Sequence, residues 1–303
     1  MSAVLYCSKL NLVSGHIFEV YKDESLLPKI LDILLGDISS DAMYETEDTF
    51  VTEDGSVITT TITYKMSILE KQHSHVHGYL CKDSVIYYKT FDEKAQELIR
   101  HSVPYTEAVQ FYFDVHKEVI VFHTANRLGY QEFNYAMTGL LNKMMEATER
   151  EFRFEVILMT EGLNLAEIEN ELKKIDNIYE LTFRFQPPNP DTETMNRIQE
   201  NGERFLDTME DANVTRVSTV FSTKGGKGLN LDSELIKDNI EKIRGINSVA
   251  GDKNAISKGY IAVDVVDAHG KKYTTGASKP LKTVISNLKY FARECRRIIS
   301  SLN

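Results

Sequence analysis

Three imidazoles stand two residues apart in His73-Ser-His75-Val-His77, and on a β-strand residues two apart share a face. Imidazoles converging on one face can ligate a transition metal. No carboxylate or thiol stands at a matching near spacing, and Cys81 falls across an expected turn, so the pattern reads as a polar, exposed strand face and no metal site is assigned. The run Ser222-Thr-Lys224-Gly-Gly-Lys227-Gly228-Leu229 sits between an expected strand and an expected helix, as phosphate-binding loops do. Such a loop needs Ser or Thr after its second lysine to hold magnesium, and here Gly228 and Leu229 follow Lys227. The expected helix also begins several residues late, which keeps its N-terminus away from a phosphate. No nucleotide cofactor is therefore assigned, and Lys224 and Lys227 read as basic side chains on a glycine-rich loop. Asp264 and Asp267, next to His269, Lys271 and Lys272, invite a metal-nuclease reading. Residues three apart on a strand point to opposite faces, so the two carboxylates do not converge there. With no nucleophile elbow, zinc-protease helix or kinase set, no catalytic residue is assigned.

The C-terminal stretch carries the densest signal. Read as one helix from Pro280 to Ser300, it places Leu281, Val284, Leu288, Phe291, Cys295 and Ile298 on one side. Lys282, Lys289, Arg293, Arg296 and Arg297 fall on the other side as a single stripe, and Lys271, Lys272 and Lys279 precede it. A positive stripe can follow a phosphate backbone, which demands charge but no fixed geometry. The plainer account is a solvated helix end that complements its own dipole.

The charge is unevenly spread. The chain of 303 residues has a net charge of −10, yet from Arg216 onward it carries 16 Lys/Arg against 8 Asp/Glu, a net of +8; the preceding residues carry 19 against 37, a net of −18. This fits a C-terminal third that faces a polyanion, or an electrostatic match between acidic and basic parts within one chain or between two.

The elements expected to position these residues fall into two parts. In residues 1–150, strands are expected at Ala3–Val13 and His16–Tyr21, then a helix through Leu26, Leu27, Ile30, Leu31 and Leu34. Three hairpins follow, turning at Glu53-Asp54-Gly55, Lys82-Asp83 and His116-Lys117, and imply an antiparallel sheet. A helix from Tyr130 to Arg150 buries Phe133, Met137, Leu140, Leu141, Met144 and Met145 against it. In residues 151–303 the rhythm becomes strand Phe154–Met159, helix Leu165–Ile175, strand Tyr179–Phe185. A helix capped by Asn189 or Asp191 comes next, followed by strand Thr215–Ser222, helix Ser233–Arg244, strand Tyr260–Asp267 and the basic helix. The expected class is thus α/β (α+β): a mostly antiparallel sheet with covering helices, then a second α/β part ending in a long basic amphipathic helix.

Three cysteines, odd in number and far apart, make no disulfide framework or zinc spacing. No signal-peptide pattern opens the sequence, and no apolar run approaches the roughly 20 residues of a membrane helix. A soluble, cytoplasmic protein without membrane insertion is expected.

The stretch Tyr260–Asn303 resembles the end of the RexA-like phage-exclusion proteins. The shared features are a strand, a turn at Asp267-Ala-His-Gly270, a short polar strand Lys271–Thr275, a Ser278-Lys-Pro-Leu281 segment and a closing basic helix. The upstream order of elements is also similar, so the whole chain looks like the broad group of bacterial phage-defence proteins that includes the KwaB component of Kiwa. The resemblance implies a homodimer acting in anti-phage exclusion or abortive infection. It also implies sequence-tolerant binding of double-stranded DNA and a companion defence protein. The contacts expected with nucleic acid are Lys224, Lys227, Lys271, Lys272, Lys279, Lys282, Lys289, Arg293, Arg296 and Arg297. The alternatives are a protein–protein interaction module without nucleic-acid binding and a divergent metal-dependent nuclease.

Overall fold

The computed structural model of the chain describes residues 2–52, 55–94, 96–190, 203–224, 226–241 and 254–302. Strand β1 (Ala3–Leu12) leads into helices α1 (His16–Lys22) and α2 (Leu26–Asp37). Strands β2 (Met43–Val51), β3 (Val57–Lys71), β4 (His75–Asp92), β5 (Glu97–Asp114) and β6 (Val119–His123) follow, then helix α3 (Tyr130–Ala147) and strand β7 (Phe154–Leu158). Beyond helix α4 (Leu165–Lys173) come strand β8 (Ile178–Phe185), helix α5 (Glu203–Asp211), strand β9 (Val217–Ser222) and a helix α6 over residues 234–241. The short helix α7 (Asn254–Ser257), strands β10 (Ile261–Asp267), β11 (Lys272–Thr274) and β12 (Lys282–Ile285), and helix α8 (Phe291–Ser300) complete the order.

Two antiparallel sheets result, as the α+β expectation requires. The large one runs β12-β1-β6-β5-β4-β3-β2 with β7 also on β1, and the small one runs β11-β10-β8-β9. Strand β1 is the hub. It pairs with β6 along one edge, and along the other with β12 (Ala3↔Ile285 to Tyr6↔Lys282) and then β7 (Ser8↔Leu158 to Leu12↔Phe154). Both its faces are buried: Leu10 and Leu12 join the main core with α2 and α3, while Leu5 and Cys7 pack against Phe291, Cys295, Ile298 and Ile299 of α8.

Helix α3 does two jobs. Its apolar stripe enters the core as expected, with the Phe133 ring stacked on Phe122 at 3.7 Å. A polar stripe at i, i+4, i+8 meets β1 and the otherwise open edge of β7. Asn134 accepts from the Ser8 hydroxyl (2.7 Å), Thr138 accepts from Val156 N–H (2.9 Å), and Asn142 both accepts from and donates to the Phe154 backbone (2.9 Å each). A buried strand edge must find such partners or lose the bonds water gave it.

Several expectations are corrected here. His16–Tyr21 is helical rather than a strand, because Ile17, Phe18 and Val20 bury a helical face. The turn expected at Lys82-Asp83 is absent: β4 runs straight through it. Lys82 there meets Glu132 and Asp83 meets Lys65, at 2.6 Å each, so the charges serve as partners and not as a break. The unit of Phe154–Met159, Leu165–Ile175 and Tyr179–Phe185 is not one layer, since β7 belongs to the large sheet and β8 to the small one. A boundary at residue 150 would cut the large sheet, because β7 and β12 both lie beyond it. Asp191 and the first part of the helix expected there lie outside the described residues. Asn189 is buried against β1, accepting from Leu12 N–H (2.9 Å) and donating to the Leu10 carbonyl (3.1 Å) and to Glu118.

The core segment of β1 therefore includes a buried polar knot. Lys9 Nζ meets Glu118 at 2.7 Å with both side chains about 10% exposed, and Asn189 holds the other carboxylate oxygen. Removing one partner leaves a charge buried without its mate, which costs about 3–5 kcal/mol. Glu118→Ala should lower the unfolding free energy by roughly that amount in chemical denaturation. The double variant Lys9→Met/Glu118→Leu should lose less than the single one.

Candidate nucleic-acid interface

All ten basic side chains expected at the interface are exposed, but they do not form one stripe. The long helix from Pro280 to Ser300 is the error. Lys282–Ile285 is strand β12, Leu288–Tyr290 is a turn of 3-10 helix, and only Phe291–Ser300 is α-helical. Thr283, Val284 and Ile285 are three consecutive β-branched residues, which favour a strand. Asn287 then turns the chain by accepting from Lys289 N–H at 2.8 Å. Lys282 lies opposite Tyr6, whose ring meets Tyr130 of α3 at 5.4 Å, while α8 packs on the face of Leu5 and Cys7. Lys282 and the arginines of α8 thus stand on opposite faces of the large sheet.

The α8 arginines are held by local partners. Arg293 and Arg297 share Glu294 at 3.1 and 3.0 Å, and these two hydrogen bonds, Arg297 first, hold its carboxyl below the usual carboxylate range. Arg293 also lies over the Tyr290 ring (4.7 Å) and Arg296 over Tyr112 (5.9 Å). Lys279 sits in a left-handed turn (φ 50°), its carbonyl accepting from Glu161 N–H at 3.0 Å.

Four other lysines do come together. Thr223 N–H and Leu229 N–H donate to the carbonyls of Tyr179 and Ile178 (2.9 and 2.8 Å), and Ala268 N–H donates to the Asn177 carbonyl (3.0 Å). These bonds draw the glycine-lysine loop and the β10–β11 turn to the same end of the small sheet, bringing together Lys224, Lys227, Lys271 and Lys272. Gly228 is required there: with φ at +75°, a Cβ would sit 2.9 Å from Asn177 Cα. Gly225 lies outside the described residues. Among the described residues none of these four lysines is in an ion pair.

From that end, one face of the small sheet runs open. Leu181, Phe183, Phe185, Val263 and Val265 are buried, in one core with Ile168 and Leu172 of α4, Met209 of α5 and Ile236 of α6. The alternate positions carry Glu180, Thr182 and Arg184 beside Ser218, Val220 and Ser222 on one side and Ala262, Asp264 and Val266 on the other. Lys272 and Thr274 continue the row. Over the six residue steps from Glu180 to Gln186 this track spans roughly 20 Å. Its far end opens into a cleft of about 380 Å³, walled by α3, floored by residues 155–158 of β7, and lined on the other side by Arg184, Gln186, Arg216 and Tyr260. Arg184 pairs with Asp264 at 2.6 Å; Arg216 is bonded to Glu155 and donates to Gln186 Oε1 at 2.8 Å. Among the described residues Gln186 Nε2 is buried without a partner. None of these residues belongs to a motif in the sequence, although the alternation Thr182-Phe-Arg184-Phe-Gln186 is that of a strand with one polar face.

The candidate chemical sites dissolve. His73 lies in the β3–β4 turn, and Cys81 is on β4 itself, not across a hairpin. His75 and His77 share a face, but it is covered: His75 stacks on Tyr112 (4.8 Å) and His77 on Phe291 (5.8 Å). Among the described residues no three His, Cys, Asp or Glu side chains converge as a metal would need. Asp264 is taken by Arg184, and Asp267 accepts from His269 and Lys271 N–H (2.8 and 2.9 Å). Burial pushes the Cys7 thiol up to about 12 and raises Cys295 too, so neither is a ready nucleophile.

The profile of a family described as a domain of unknown function (DUF4747) matches residues 82–287, about two thirds of the chain. The chain belongs to the DUF4747 family. A search of curated proteins finds no match. The DUF4747 segment takes in the small sheet, the four gathered lysines and every residue of the cleft, and it stops short of the arginines of α8.

The seat of α8 makes a pH prediction. Burial holds His77 and His123 below the ordinary imidazole value; Glu70 opposes this for His77, and the Thr124 carbonyl and Glu107 oppose it for His123. A histidine depressed in the folded state stabilises fully above its unfolded value of about 6.5, and that stability is lost as pH falls through the folded value. The denaturation midpoint should therefore drop between roughly pH 7 and 5, before carboxylates titrate. His77→Phe should flatten that drop.

Proposed function

We propose that this DUF4747 protein binds nucleic acid without strong sequence specificity, and acts in anti-phage exclusion as the RexA-like resemblance implies. The observation that carries the reading is the gathering of Lys224, Lys227, Lys271 and Lys272 at one end of an open sheet face. Phosphate contacts of this kind position a nucleic acid without reading its sequence. The acidic body around this basic region would repel a polyanion elsewhere and confine it to the track. Double-stranded DNA in the cytoplasm is the expected ligand. Among the described residues no helix is long and apolar enough to cross a membrane.

Binding to a labelled mixed-sequence duplex should fall steeply with salt, by about 0.9 log units per log unit of salt for each phosphate contacted. Lys271→Glu/Lys272→Glu should weaken it and flatten the slope. The triple reversal Arg293→Glu/Arg296→Glu/Arg297→Glu reports separately on α8. Affinity unchanged in both variants would remove these residues from the interface.

A protein-partner reading has its own support. Beyond residue 83, among the described residues β4 pairs with β5 alone, and the two form a ribbon that touches β2 through Tyr87 against Phe50 (5.4 Å) and ends in Phe91 and Leu98, a cross-strand pair 58% and 61% exposed. A two-stranded ribbon tip with exposed apolar residues is marginal in water. A homodimer or companion chain covering it would be lost in Phe91→Ser/Leu98→Ser. Light scattering should then read a smaller mass, with duplex affinity per chain retained.

A further inference from the structure

We infer that the cleft between α3 and the small sheet takes a single unpaired nucleobase, as a base-holding site of the interface proposed above; it rests on that reading. The cleft sits at the end of the open track opposite the gathered lysines, so a strand held along the track reaches it. Its volume of about 380 Å³ is in the range of pockets that enclose one small ligand, roughly 300–1,000 Å³.

The chemistry of the walls favours a ring over an anion. Arg184 and Arg216 already carry Asp264 and Glu155, so the pocket adds little net charge. Tyr130 and Tyr135 of α3 line one wall. Both rings are fixed, Tyr130 by contact with Tyr6 (5.4 Å) and Tyr135 by an edge contact and a 2.8 Å hydroxyl hydrogen bond with Tyr44. Tyr135 nevertheless stays 52% exposed. Held aromatic side chains of this kind are the usual seats for unstacked bases.

One buried polar group, among the described residues, is left to recognise an edge. Gln186 is 3% exposed, and its amide orientation is set because Oε1 accepts from Arg216. Its Nε2 is then a buried donor without a partner, a state that costs free energy until an acceptor arrives. A base carbonyl or ring nitrogen is such an acceptor, reached by a small rotation of the side chain. The phosphates of the same strand stay outside, along the track.

The test is calorimetric titration of the full chain with the four deoxynucleosides, beside the duplex titration. At least one nucleoside should bind saturably, changing by less than about twofold between 50 and 200 mM salt, where one phosphate contact would give about threefold. Tyr135→Ala, on an exposed side chain, should weaken that binding by roughly fivefold or more with the denaturation midpoint unchanged. Gln186→Leu should weaken it too. Absence of nucleoside binding while the duplex still binds overturns the cleft and leaves the proposed function standing, as does nucleoside binding indifferent to Tyr135→Ala. Failure of both titrations overturns both.

Discussion

Strand β1 must satisfy hydrogen bonds on both edges and bury side chains on both faces, and nearly everything else is arranged to let it. One edge is closed by β6; the other is shared by β12 and β7, drawn from distant parts of the chain. Asn189 and the Lys9–Glu118 pair finish the groups these strands leave near its C-terminal half. Because β7 and β12 are both called to β1, the small sheet between them is a loop-out from the large one, and the main core runs through both. That tether sets the small sheet beside α3 and so creates the cleft.

Local patterns reached the sequence reader well. The apolar stripe of α3, the hairpin between β2 and β3, the β5–β6 turn and the β10–β11 turn all announce themselves through periodicity or turn residues. What failed were segments whose state is decided elsewhere. Leu281, Val284 and Leu288 satisfy helical spacing, yet β1 needs an edge partner and Thr283-Val-Ile285 supplies it. Lys82-Asp83 looks like a turn by composition, yet Glu132 and Lys65 give both charges a place within a strand.

The candidate site was legible in its residue types more than in its layout. Each basic side chain is exposed, as Lys and Arg without buried partners usually are. Which of them would meet depended on backbone bonds to Asn177, Ile178 and Tyr179, about which spacing says nothing. The cleft was invisible for a similar reason: Tyr135, Gln186 and Arg216 stand on three elements far apart in sequence. The histidine run shows the opposite hazard, a conspicuous pattern whose rings pack as ordinary aromatic filling between a sheet and a helix.

The pairing of Ala3 with Ile285 also bears on how the molecule is made. As the chain leaves the ribosome, β1 emerges long before β12. Until β12 arrives, residues 3–6 present a bare edge of buried-type side chains, a template on which other strands can pair. Contacts of such sequence separation are slow to form. The return of β12 to β1 therefore waits on synthesis of the intervening chain, and α8, seated beside β12 over Leu5 and Cys7, is the latch that keeps it there.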